Sequence, residues 1–151
     1  MIHYVVGDAT RPKAKGPWII AHVCNNEGRW GRGFSGAVSR RWREPEAMYR
    51  DFANRKDIAI GEVLFCPVTP PGTVASMIAQ WGIGHSPLPR IDYDALSTCL
   101  GAVAAVAYED GASVHMPRIG TGNGGGSWAR VEIIVSAVFK YAEVFVYDLP
   151  G

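Results

Sequence analysis

The chain has 151 residues, 48% of them apolar and 19% charged, which excludes a disordered chain. No apolar run is long enough to span a bilayer, so no membrane partner is expected. With 15 Lys and Arg against 14 Asp and Glu the net charge is +1, which argues against a dedicated nucleic-acid binder.

Residues 2–6 read as a first strand, ended by Gly7-Asp8-Ala9-Thr10 and Pro12. Residues 18–23 form a near-continuous apolar run, the pattern of a strand buried on both faces. A glycine-rich segment follows. Residues 34–42 are predicted helical, and residues 45–55 give another helix with Pro45 in its first turn. Strands at 62–66 and 73–79 flank a turn from Pro67 to Gly72, and residues 82–91 form a Gly/Pro loop. Asp92 or Asp94 caps a long helix that reaches about Tyr108 and stops at Gly111. Residues 112–116 are a strand, a second glycine-rich segment follows, Ser127 caps a helix to Tyr141, and residues 144–147 are the last strand. Six strands interleaved with about four helices predict an α/β fold with helices on both faces of the sheet. The length suits one domain covering residues 1–151.

Glycine is the informative residue: 18 of 151, well above the usual ~7%. Half of them fall in Gly28-Arg-Trp-Gly31-Arg-Gly33-Phe-Ser-Gly36 and Gly120-Thr-Gly122-Asn-Gly124-Gly125-Gly126. Both segments match G-x-G-x-x-G, and each lies between an apolar strand and a helix. Such a loop aims backbone N–H groups and a helix dipole at an anion, although one match alone also fits a plain tight turn. Two of them at the carboxyl edge of an open α/β sheet would clamp a diphosphate from two sides. A dinucleotide-binding Rossmann fold ranks low. Glu143 or Asp148 lies roughly ~20 residues after the second cluster, but only one strand remains there.

Three motifs carry a resemblance: Gly7-Asp8-Ala9, Ala21-His22-Val23-Cys24-Asn25-Asn26 running into Gly31 and Gly33, and Met116-Pro117-Arg118-Ile119-Gly120-Thr121-Gly122. In this order they resemble a macrodomain, the ADP-ribose-binding module, over nearly the whole chain. The closest likeness is to the branch with terminal ADP-ribose glycohydrolases and ADP-ribose 1″-phosphate phosphatases. The resemblance implies a three-layer α/β/α sandwich with a central six-stranded mixed sheet. It implies that Asp8, with Ala9 beside it, accepts a hydrogen bond from the adenine amino group. The local alternative for Asp8 is a turn-capping aspartate. Asn25 and Asn26 would meet the distal ribose, although Asn25 could equally close an Asx turn. The run Trp30, Gly31, Arg32, Gly33 and Phe34 would line that ribose and one phosphate. Ile119, Gly120, Thr121, Gly122, Asn123, Gly124 and Gly125 would line the other. Phe34 or Tyr147 could stack on a ring, a job less common for an aromatic than core packing.

The catalytic positions depart from the family. Some hydrolytic macrodomains carry an aspartate ten positions after the ribose-binding asparagine, and here that residue is Ser35. The glycohydrolase nucleophile, a lysine, is matched by Gln80, which cannot form a Schiff base, and its partner aspartate by Gly124. The remaining catalytic candidates are Asn25, Ser35 and His22. Asn25 would orient the ribose and Ser35 would position a water that attacks C1″ or the ester carbonyl. His22 could act as a base near its usual pKa of ~6.5, although a mid-strand histidine is more ordinarily a satisfied buried imidazole. Cys24, on the same strand face as His22, reads as an inert buried thiol. Cys24, Cys66 and Cys99 are too widely spaced for a disulfide framework or a zinc site, and His3, His85 and His115 lack ligand spacing. No cofactor and no metal are expected. A reducing cytoplasm is the simplest expectation for three cysteines that form no disulfide framework, in a chain whose start reads directly into a strand rather than a signal peptide. The expected activity is hydrolysis of the ester between ADP-ribose and protein Glu or Asp. The alternatives are ADP-ribose 1″-phosphate phosphatase and a non-catalytic reader of ADP-ribosylated proteins.

Overall fold

The computed structural model describes residues 1–151. Its elements in chain order are β1 (Ile2–Val6), β2 (Trp18–Asn25), α1 (Phe34–Arg41), α2 (Glu44–Asn54), β3 (Val63–Val68), β4 (Gly72–Gln80), α3 (Tyr93–Asp110), β5 (Ser113–Met116), α4 (Trp128–Val138) and β6 (Val144–Asp148). The strands form one sheet in the order β1-β6-β5-β2-β4-β3. Every neighbouring pair is parallel except β3 and β4, so the sheet is mixed.

Alternation along the central strands builds both cores. Ile19 and Ala21 of β2 and Ala75, Met77 and Ala79 of β4 face α3 and α4, where Leu96, Leu100, Val103, Val131 and Val135 complete the larger core. Trp18 and Ile20 of β2 and Val74 of β4 point the other way and pack with Val38 of α1 and Trp42. Cys24 and Ile78 continue that face against Tyr49 of α2. Helices therefore lie on both sides of the sheet, giving the three expected layers, and β2 is buried on both faces as its composition predicts.

Most differences from the predicted elements are at ends. Asp92 caps α3, its Oδ1 accepting from the Ala95 N–H at 2.9 Å, and Gly111 ends it at φ +62°, a left-handed turn that favours glycine. Ser127 stands at the start of α4 but its side chain makes no capping bond; its own N–H donates to the Tyr93 hydroxyl at 2.9 Å. That helix stops at Val138, three residues before Tyr141, and buries Phe139 in the core as it ends.

One glycine has no room for a side chain. A Cβ at Gly72 would fall within the Trp18 indole, which is itself buried. Gly72→Ala is therefore expected to cost about 1–3 kcal/mol by overpacking, seen as a lowered midpoint in urea unfolding; an unchanged midpoint would show that the indole can move aside.

Candidate functional site

The carboxyl ends of the parallel strands share one edge of the sheet, where an open α/β fold places its ligand. A cleft of about 390 Å³ lies there. One wall is the loop after β2 with the start of α1, including Asn25, Gly31, Gly33, Phe34 and Ser35. The other is the loop after β5, Pro117 to Gly124. Gln80, the last residue of β4, and Ile83 from the segment after it also line it.

The second loop is braced by its own backbone. Gly126 N–H donates to the Gly120 carbonyl at 2.8 Å and Gly125 N–H to the Gly122 carbonyl at 3.0 Å. The N–H groups of Arg90 and Ile91 both donate to the Gly124 carbonyl, at 2.8 and 3.0 Å. Gly120 takes φ +76°, and a Cβ at Gly124 or Gly126 would press to 2.7 Å from its carbonyl oxygen. These glycines close the loop, whereas Gly122 and Gly33 have open space where a Cβ would stand. The N–H groups of Thr121, Gly122, Asn123 and Gly124 make no hydrogen bond within the chain, nor do those of Gly31, Arg32, Gly33, Phe34 and Ser35. Two sets of unpaired donors thus flank one cleft, an arrangement suited to anionic oxygens. Arg118 anchors the second loop by donating to both Asp148 carboxylate oxygens at 2.7 and 3.0 Å, with its guanidinium against the Tyr4 and Trp128 rings.

Asn25 is 5% exposed and organises the first loop. Its Oδ1 accepts from Tyr49 hydroxyl (2.9 Å), Glu27 N–H (3.0 Å) and Arg29 N–H (3.3 Å), and its Nδ2 donates to the Arg29 carbonyl at 2.6 Å. The turn-closing role is therefore real, and one Nδ2 proton is left for a ligand. Asp8 likewise closes a turn, its Oδ1 accepting from the Thr10 N–H (2.8 Å) and Thr10 hydroxyl (2.7 Å) while its side chain stays 42% exposed.

Six of the expected ligand residues do not line this cleft: Asp8, Ala9, Asn26, Trp30, Arg32 and Gly125. Asp8 and Ala9 follow β1 at the same sheet edge, with Ala9 buried. Asn26 ties the first loop to the segment after β4 by accepting from the Gly82 N–H at 2.9 Å. Trp30 packs inward, its Nε1 donating to the Ser35 carbonyl (3.0 Å) and Ser39 hydroxyl (2.7 Å). Tyr147 also stays out of the cleft, its hydroxyl bonded to His115 Nδ1 at 2.7 Å, whereas Phe34 lines it. Arg29 and Ile83 line it without any signal in the sequence that assigns them, because only the fold brings their loops together.

Behind the Ser35 wall lies a buried polar cluster. His22 is 1% exposed, with Nδ1 3.2 Å from the Ser35 hydroxyl and Nε2 2.8 Å from the Ser76 hydroxyl. Of the two readings of His22, the satisfied, buried imidazole is the one observed; burial lowers its pKa to about 4, so it is neutral throughout the neutral range and does not titrate near the ordinary histidine value. Cys24 lies 3.9 Å from the same ring, and burial pushes its thiol up to about 12, which leaves it unreactive. Gln80 donates to the Gly82 carbonyl at 2.9 Å, and no carboxylate lines the cleft.

No protein-family model matches the chain. A Bacteroides thetaiotaomicron protein of unknown function matches over 99% of this chain and 98% of its own, at 43% identity and a TM-score of 0.94. Among curated proteins, the chromodomain-helicase-DNA-binding protein 1-like of Danio rerio is 34% identical over 143 residues; the match spans 89% of this chain and only 14% of that protein's length. A solved macrodomain protein from Streptomyces coelicolor is 47% identical over 98% of this chain and 99% of that one, with a TM-score of 0.86. Matched end to end at that identity, and with the same layered fold, the chain belongs to the macrodomain family.

Proposed function

We propose that the cleft binds ADP-ribose and that the protein hydrolyses the ester joining ADP-ribose to protein glutamate or aspartate. The observation that carries this reading is the pair of loops whose unpaired N–H groups flank the cleft on both sides, beside a polar cluster of Asn25, Ser35 and His22. The loops suit a diphosphate held by backbone donors, and Asn25, which lines the cleft and keeps one Nδ2 proton free, is the residue to meet the distal ribose. Asp8 supplies the adenine contact through its exposed Oδ2.

Gln80 cannot form a Schiff base and Gly124 offers no carboxylate, so an oxygen nucleophile acts on the ester without a covalent lysine–sugar adduct. A carboxyl ester at the anomeric position has a good leaving group, and orientation by the bound diphosphate supplies much of the barrier reduction. Slow turnover is expected.

Two measurements test the reading. Calorimetry should show ADP-ribose binding, weakened in Asp8→Ala by roughly 1.5–3 kcal/mol for one lost charge-assisted hydrogen bond. Unchanged affinity in the folded variant would remove Asp8 from the site. Incubation with a glutamate-ADP-ribosylated protein should release ADP-ribose, and Asn25→Ala should slow this more than Gln80→Ala. Release of phosphate from the 1″-phosphate instead would make the protein a phosphatase, and binding without turnover of either substrate would make it a reader.

A further inference from the structure

The cluster of Ser35, His22 and Ser76 has the parts of a serine acyl-transfer site. Ser35 is the second residue of α1 and lines the cleft. Its hydroxyl lies 3.2 Å from His22 Nδ1, and on the far side of the ring Nε2 lies 2.8 Å from Ser76 Oγ. Nucleophile, base and orienting group are thus in hydrogen-bond order, the arrangement that activates a hydroxyl irrespective of fold. β2 and β4 set it up: His22 and Ser76 are partners in the parallel register and point to the same sheet face. Trp30 and Phe34 flank the imidazole at 5.4 and 5.8 Å between ring centres and keep it in place. No buried side-chain polar atom in the chain lacks a partner, so the cluster is a satisfied network rather than a strained one.

We propose that Ser35 is a nucleophile towards carboxyl esters, with His22 as its base and Ser76 as the residue that positions His22. The inference rests on the proposed function for its natural substrate, the ADP-ribosyl ester. With the imidazole proton on Nε2 and donated to Ser76 Oγ, Nδ1 accepts the Ser35 hydroxyl proton. Ser35 Oγ bonds to the ester carbonyl carbon, and the acyl carbon–oxygen bond to C1″ breaks. The departing oxygen takes the proton from His22 and leaves as the 1″-hydroxyl of ADP-ribose. Water then gives a proton to His22 and attacks the acyl carbon. The Ser35 ester bond breaks, Ser35 recovers its proton, and the carboxyl group is released. The first turn of α1 leaves its N–H groups unpaired, and these are the donors available to the developing oxyanion. Burial keeps the imidazole neutral at neutral pH but also lowers its basicity, so proton transfer from Ser35 is slower than to an ordinary histidine. Ser76 orients the ring but carries no charge to stabilise an imidazolium, so acylation is slow compared with a site that has a carboxylate there.

The test uses the full chain. A fluorophosphonate probe should label Ser35, identified by peptide mass, and labelling should vanish in His22→Asn and Ser35→Ala while both variants still bind ADP-ribose. With glutamate-ADP-ribosylated substrate in ¹⁸O-water, the label should enter the released carboxylate, and Ser35→Ala should lose about 100-fold or more in kcat. Ser76→Ala should lower kcat at unchanged KM, and Ser76→Thr should restore it. Label found only in ADP-ribose with an unmodified Ser35 would overturn the proposal and leave the proposed function intact. Labelling of Ser35 without cleavage of the ADP-ribosyl ester would uphold the nucleophile and overturn the substrate. Neither labelling nor cleavage would overturn both.

Discussion

Gly122→Val should abolish measurable ADP-ribose binding without lowering the unfolding midpoint, and Gly33→Val should abolish it while the domain stays folded. Both positions lie on the cleft wall, have nothing within contact range of an added Cβ, and avoid positive φ. At Gly122 a branched side chain can therefore be placed without disturbing the core, whereas at Gly33, the residue before α1 with ψ −114°, it also strains the backbone; at both it projects into the space next to the unpaired N–H groups. Loss of several N–H bonds to a charged diphosphate, each worth about 1.5–3 kcal/mol, should weaken binding by about 100-fold or more. The same change at Gly124 is a contrasting control. There the Cβ meets the Gly120 carbonyl, so stability and binding should fall together. Calorimetry and thermal melting on the three variants separate the cases, and normal binding by Gly33→Val and Gly122→Val would make the loops plain turns.

Acid should destabilise the protein well above the pH at which its carboxylates titrate. His22 and His115 are both buried, and burial lowers each to about 4 from an ordinary value of 6.5. Between those values the unfolded chain takes up protons that the folded chain refuses, so stability falls as pH drops through 6.5 towards 4. From neutrality to about pH 5 the loss is about 2 kcal/mol per histidine. Asp92 and Asp148, held below the usual carboxylate value by the Ala95 N–H and by Arg118 respectively, contribute only to losses below that window. Urea unfolding at about pH 7.5 and about pH 5 measures the effect, and a His22→Asn variant should lose about half of the slope. Equal stability at the two values would show that the imidazoles are solvated and ionise freely.

The layered fold and the sheet edge that carries the cleft can be read from short stretches of the chain. The two-face apolar run of β2, the Gly111 end of α3, its start at one of two aspartates, and the glycine clusters between strands and helices are local signals, and the structure has each of them, with Asp92 as the cap. Glycine spacing also marks both loops that line the cleft, because unpaired N–H groups at a strand-to-helix turn need no distant residue to create them. What the sequence left open was the division of labour within each motif. It could not separate Gly122, which faces the cleft, from Gly124, which closes the loop against the Gly120 carbonyl. It offered two roles for Asn25 and Asp8, and the turn-closing bonds of both appear only with the loops in place. Ser76 is one hydroxyl in an apolar strand, and only the parallel register sets it beside His22. The pKa of His22 was set in the same way: its local sequence is compatible with an ordinary imidazole, and only the packing of α1, Trp30 and β4 around it removes the water that would stabilise its charge. Backbone conformation and apolar periodicity are written in short stretches of chain, whereas desolvation and hydrogen-bond order depend on residues far apart in sequence, so they are decided by the tertiary structure.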